Sequence, residues 1–277
     1  MAIPAHYDAL CTLELVAIAL LDVKGDSTWA ALDALRGRDR EELFAAAEQL
    51  LRSPSSRERA RGAVLFAQAA GHDAKEHRER RARCAEALLA ALPTEQAPSV
   101  LKAMGYTLGY LEDARALPAL RALKDHPDAR VREGVARGLM PHHNNSVALQ
   151  TLMELSRDGD TSVREEVLSG LALKDEDEVD TPELRDAFLE RLSEEDSGIR
   201  ADALVGLAKR KDPRALEPLR RELAGSEVIV LAVEAAQALE DLSLLPLLHR
   251  FRDPPGKADS YFRSVLSDAI AHLESLA

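Results

Sequence analysis

Asp128-Ala-Arg-Val-Arg-Glu-Gly-Val-Ala-Arg-Gly-Leu139 returns, with substitutions, as Thr161-Ser-Val-Arg-Glu-Glu-Val-Leu-Ser-Gly-Leu171 and as Ser197-Gly-Ile-Arg-Ala-Asp-Ala-Leu-Val-Gly-Leu207. In each copy an aliphatic residue precedes an Arg, small or aliphatic residues follow it three and four positions on, and Gly-Leu closes the pattern at six and seven. That spacing makes one face of an α-helix apolar.

Working outward from the Arg, equivalent positions fall at Arg59, Leu101, Arg132, Arg164, Arg200, Ala232 and Arg263, at intervals of 42, 31, 32, 36, 32 and 31 residues. A period near 34 residues means a stacked array of helical hairpins. The two long intervals contain the polar stretch His72 to Arg83 and the acidic loop Asp175 to Asp180. A second amphipathic helix precedes each marked one, as in 116–123, 147–155, 182–192 and 214–223. Thr181 with Pro182, and Asp212 with Pro213, supply N-cap and first-turn residues for two of these. The reading is seven helix pairs within residues 39–277, the last including Tyr261 to Leu276. An N-terminal helical cap over 1–38 holds helices near 6–22 and 27–36, so the whole chain forms a single α-solenoid domain.

The recurrent Val/Ile-Arg-x-x-Ala/Val-x-x-x-Leu helix, with its Asp-x-Arg-Ala-Leu-x-x-Leu connections at Asp113–Leu120 and Asp212–Leu219, resembles the HEAT-repeat superfamily. Within it the likeness is to bacterial HEAT-like repeats of the phycobilin-lyase type, over about residues 40–277. The resemblance implies an all-α, right-handed α-α superhelix whose second helices line a concave surface. It does not choose a function, because such proteins include scaffolds, transport factors, chromophore lyases, a DNA glycosylase branch and a di-iron hydroxylase.

Composition agrees with helices exposed to water: 46% hydrophobic residues, only 4% aromatic and 30% charged. A net charge of -12 opposes general binding to a phosphate backbone, which draws its affinity from Lys and Arg displacing counterions. Cys11 and Cys84 stand far apart without metal-ligand spacing, so two reduced, buried thiols in a cytoplasmic protein are expected. The start of the chain lacks the positive region of a signal peptide, and no run reaches the length of a membrane span.

The repeated Arg is read as a clamp between repeats, its planar fork satisfying carbonyls and carboxylates of the preceding turn such as Asp128 or Asp160. Gly138, Gly170 and Gly206 share one position, which predicts close approach of a neighbouring helix. Since the resemblance places second helices on the partner face, residues beside their apolar stripe become contact candidates. These are Lys102, Tyr106, Tyr110, Glu133, Arg137, Glu165, Glu166, Ser169 and Asp202, with Tyr and Arg the favoured anchor types.

Charge is uneven: residues 52–83 carry nine basic against four acidic residues, and 158–202 carry sixteen acidic against five basic. The acidic middle suits a basic protein or peptide. His72 to His77 and His142-His143 lack metal-ligand spacing, and no metal or cofactor site is assigned. No His-Glu repeats, Walker loop, GxGxxG, GxSxG or HExxH occurs, and the single Trp29 lies outside the repeats. The expected function is a non-catalytic scaffold or adaptor, with an immunity or antitoxin-like regulator as a sharper form. The alternatives are a tetrapyrrole lyase or chaperone and a DNA-binding protein using the basic shoulder of Arg57, Arg59, Arg61, Arg80, Arg81 and Arg83.

Overall fold

Short polar side chains set just ahead of each apolar stretch start the helices. Asp39 accepts from the N–H groups of Glu41 and Glu42, Asp128 from Arg130, Asp160 from Ser162, and Asp196 from Gly198 and Ile199. Ser55 and Thr181 cap through their hydroxyls, the latter with Pro182 at the first helical position as its sequence predicts. Each such cap contributes about 1 kcal/mol by satisfying an otherwise unpaired N–H.

A computed structural model describes residues 9–19, 31, 34–71, 77–174, 179–225, 228–252 and 260–276. These residues are helical with short turns, and no strand occurs among them. The chain divides into two units, Met1–Thr151 and Leu152–Ala277.

The first unit holds α1 (Thr12–Ala19), α2 (Arg40–Leu51), α3 (Ser56–Ala70), α4 (Arg78–Ala91), α5 (Pro98–Leu111), α6 (Leu117–Ala122) and α7 (Ala129–Leu139). The division falls inside α8 (Ser146–Leu155). The second unit continues with α9 (Thr161–Ala172), α10 (Pro182–Arg191), α11 (Ser197–Lys209), α12 (Leu216–Ala224), α13 (Val230–Leu239), α14 (Leu245–His249) and α15 (Ser260–Ser275). The seven markers fall in α3, α5, α7, α9, α11, α13 and α15, so every helix that the period predicts is present.

Some boundaries shift. The helix expected from residue 116 begins as a 3-10 turn, Ala114–Ala116, capped by Asp113, and the one from 214 begins as Pro213–Ala215, capped by Asp212. In both the Asp carboxylate takes the N–H two residues on, tightening the first turn. Of the N-terminal pair, Thr12–Ala19 and residues 31 and 34–36 are helical, while residues 9–11, expected inside the first helix, form a turn ahead of it; residues 6–8, 20–22, 27–30 with Trp29, 32 and 33, residues 72–76 and the core of the acidic loop, 175–178, lie outside the described residues.

The apolar stripes meet inside each unit. Phe66, Leu88, Met104, Leu108, Val135 and Leu139 are buried in the first, and Val167, Phe188, Ile199, Leu204, Leu207 and Leu219 in the second. Burying a side chain of this size stabilises by about 2 kcal/mol, which is why a hairpin that cannot hide its stripe alone is held by its neighbours. Where second helices cross, glycine lets backbones touch. A Cβ on Gly105 would lie 2.4 Å from the Gly134 carbonyl oxygen, one on Gly109 2.6 Å from that of Arg137, and one on Gly138 2.8 Å from that of Gly105. At Gly206 the ring of Phe188 occupies the space instead, 2.5 Å from where a methyl would stand.

Candidate partner-binding faces

Four of the five marked arginines, Arg59, Arg132, Arg164 and Arg200, share one geometry among the described residues. Nη1 of Arg59 donates to the carbonyls of Ser53 and Pro54, that of Arg132 to His126 and Pro127, that of Arg164 to Asp158 and Gly159, and that of Arg200 to Glu194 and Glu195. The acceptors are always six and five residues earlier, in the turn that enters the helix. Three of these guanidinium groups then reach a carboxylate of the next repeat: Arg59 grips Glu95 with two bonds of 2.7 and 3.0 Å, Arg164 meets Glu194 at 3.1 Å and Arg200 meets Glu222 at 3.3 Å. The clamp is thus real but its carboxylates lie ahead, not behind. Asp128 pairs with Arg130 and Asp160 caps α9, because their side chains already face the helix start.

Two further arginines, with nothing distinctive about their sequence positions, are buried. Arg210, 1% exposed, sends Nε and Nη2 to the Val179 carbonyl at 3.1 and 2.8 Å and Nη1 to Gly206 at 2.8 Å. Arg81, 5% exposed, donates to the carbonyls of Gly71 and Tyr110 and lies 5.0 Å over the Tyr110 ring. Neither repeats along the chain, so no periodic signal could reveal them.

The contact candidates on α5 and α7 are brought together by the glycine crossing. Lys102 Nζ lies 2.7 Å from Glu133 Oε2, the Tyr106 hydroxyl donates to Oε1 of the same carboxylate, and Lys102 and Arg137 flank the Tyr106 ring at 5.4 and 5.5 Å. Arg137 remains exposed. Tyr110 is separate from this group, since its hydroxyl donates to Gly71 at 2.8 Å as part of the Arg81 knot.

In the second unit much of the acidic segment is neutralised internally. Glu190 pairs with Arg157, Glu194 with Arg164 and Arg191, Asp180 with Arg185 and Asp186 with Arg214. Glu165 on α9 is exposed and Asp202 on α11 is half-buried, and neither has an ion pair among the described residues. Burial, with the charges of Glu165 and Asp196 nearby, pushes the Asp202 carboxyl up to about 6. Glu166 and Ser169 are partly buried beside Glu165 on α9.

The basic shoulder separates into parts. Arg59 and Arg81 are bound as above, and Arg83 stacks 3.8 Å over Phe44 while pairing with Glu41. Arg57 and Arg61 instead line a groove between α3 and α5. Of the thiols, Cys84 is buried and raised to about 11 by desolvation, but Cys11 is exposed because it sits at the very start of α1. His142 closes a 3-10 turn, and burial lowers its pKa. His143 is buried with Nδ1 3.0 Å from the Met140 carbonyl. No cluster of three or more His, Cys, Asp or Glu with metal-holding geometry exists among the described residues, and none of their helices is long and apolar enough to cross a membrane.

Comparison with known proteins agrees with this architecture. The family model described as HEAT repeats matches residues 85–172 and 149–240. Protein YibA of Escherichia coli K12 is 32% identical over 105 residues, which cover 38% of this chain and 36% of YibA, so the match spans about a third of that relative's length. Solved YibA from Escherichia coli superposes with a TM-score of 0.69 at 19% identity over 97% of this chain and 94% of that one. The CpcE–CpcF complex of phycocyanin lyase from Nostoc sp. PCC7120 gives 0.52 at 19% identity over 84% and 92%, and Kap121p 0.58 at 14% over 98% and 33%. At these identities the structural likenesses speak for the fold alone. Seven marked helices, a shared arginine geometry in four of them, and a family model covering more than half of the residues lead to one assignment: this chain belongs to the HEAT-repeat family and is an all-α solenoid.

Proposed function

We propose that the protein is a non-catalytic scaffold or adaptor that holds a protein partner against the exposed flanks of its second helices, and that the face of Glu165, Glu166, Ser169 and Asp202 receives a basic segment of it. The observation that carries this reading is the pair Glu165 and Asp202. Glu190, Glu194, Asp180 and Asp186 are matched by internal arginines, whereas Asp202 is half-buried with the like charges of Glu165 and Asp196 beside it. A desolvated carboxyl in that setting gains most from an incoming Lys or Arg. The network of Lys102, Tyr106, Glu133 and Arg137 offers a second, amphipathic contact of the type enriched at interfaces. An immunity or antitoxin-like regulator that covers a basic protein is the specific form of this function.

The test compares wild-type protein with E165K/E166K/D202K, both immobilised and exposed to a lysate of the source cells. A partner of basic isoelectric point recovered by wild type and lost by the variant supports the reading; equal recovery by both rejects the acidic face. The fold likeness to the CpcE–CpcF complex motivates a second reading, handling of a tetrapyrrole, which a titration with free bilin checks by absorbance. A saturable spectral shift would replace the scaffold reading with that one.

A further inference from the structure

Between α3 and α5 runs a groove of about 350 Å³. Ala60, Val64 and Ala103 form its apolar floor, while Arg57, Arg61 and the hydroxyls of Ser56 and Ser99 form its rim. Arg57, Ser56 and Ser99 are exposed. These positions stand two or three residues before, and one, two or five residues after, the markers Arg59 and Leu101, so the groove lies on the second-helix flank outside the glycine crossing of α5 and α7.

Arg61 differs from the clamp arginine two residues before it. Arg59 uses Nε, Nη1 and Nη2 on two carbonyls and a carboxylate, whereas Arg61 makes a contact of 3.5 Å from Nη2 to the Ala17 carbonyl, and its Nε is buried with no hydrogen-bond acceptor. That Nε is enclosed, as are those of Arg164 and Arg191, so what Arg61 offers the groove it lines is a charged fork not held by a carboxylate, and a carboxylate is the acceptor whose planar geometry fits that fork. The nearby acid does not fill this role: Glu58 accepts from the Ser53 hydroxyl at 2.5 Å, on the entering turn.

We propose that this groove binds an acidic segment of a protein partner, with a carboxylate on Arg57 and Arg61 and a neighbouring aliphatic side chain on the floor of Ala60, Val64 and Ala103. The rim charge selects for acid and the floor for an apolar residue beside it. A nucleic acid fits less well, since the lining holds no aromatic ring to stack on a base and the chain carries a net charge of -12. The site is distinct from the face of Glu165 and Asp202 and takes the opposite charge, so the two stand or fall separately.

The experiment is fluorescence anisotropy of the full chain with a labelled dodecapeptide that places a central Leu among Asp and Glu residues. Saturable binding that weakens as salt rises is expected, reduced about tenfold or more by R57E and by S99E. Both substitutions are at exposed positions, and circular dichroism melting verifies that the variants remain folded. R61Q is expected to weaken binding as well. No binding, binding indifferent to R57E and S99E, or displacement of the peptide by a single-stranded oligonucleotide at lower concentration than by unlabelled peptide overturns the proposal. Loss of binding in R57E with E165K/E166K/D202K binding as wild type confirms that the groove, and not the acidic face, holds the probe.

Discussion

Gly105 and Gly134 are the point where two neighbouring second helices touch backbone to backbone: a methyl added to the first would stand 2.4 Å from the carbonyl oxygen of the second. No side chain can move aside there, because the obstructing atom is main chain. The substitution G105A gains about 1 kcal/mol of helix propensity and loses more through overpacking, so a net destabilisation of about 2 kcal/mol is expected. Urea unfolding measures it as a lower midpoint. A methyl at Gly159 would meet nothing within 4 Å, and G159A is expected to change stability by less than about 0.5 kcal/mol.

Replacing Arg164 or Arg200 by Lys keeps the charge but cannot span two carbonyls and a carboxylate at once. Each variant should lose about 1 to 2 kcal/mol, and R164K/E194Q should lose less than the sum of its single changes, since both remove one shared contact. Thermal melts of wild type, R164K, E194Q and the double variant form the cycle.

Arg210 answers the carbonyls of Val179 and Gly206 from inside the second unit. R210A strands buried acceptors and opens a void, and a loss of about 3 kcal/mol or more follows from those two mechanisms together. Hydrogen exchange should rise first around Val179 and the end of α11; uniform acceleration across the chain would contradict a local role.

Asp202 makes stability depend on pH in a defined sense. Its carboxyl ionises near 6 in the folded chain against the ordinary aspartate value of 3.8, so the folded state binds the extra proton and the ionised form is the strained one. Its contribution favours folding below about pH 4 and is lost as pH rises through 6. D202N should therefore raise the melting temperature at pH 7.5, by a free energy on the order of 1 kcal/mol after allowance for partial exposure, and the gain should vanish at pH 4. A gain of equal size at both pH values would refute the shifted ionisation.

The helices were legible because their signal is local. A period of 34 residues and a stripe at 3.6-residue spacing require no knowledge of what lies opposite, and the marked helices from α3 to α15 fall where Arg59 to Arg263 predict. The recurrent arginine was legible for the same reason: what repeats with the fold serves the fold. The contact of Gly105 with Gly134 left no such trace, because the two glycines occupy different positions of their own repeats. Arg81 and Arg210 left none either, since their acceptors lie 10 and 31 residues away in chain positions of no distinctive type.

Sequence alone was sufficient for the secondary structure, the hairpin repeat and the sign of charge along the chain, since all three are sums over neighbours in the polymer. Which charges stay available was decided by stacking. Arg59 and Glu95, 36 residues apart, cancel one another, while Arg61 keeps a fork not held by a carboxylate beside a groove and Asp202 keeps Glu165 and Asp196 for company. A long charged side chain takes whichever carbonyl or carboxylate the adjoining repeat carries within reach, and that distance exists only once the helices are packed.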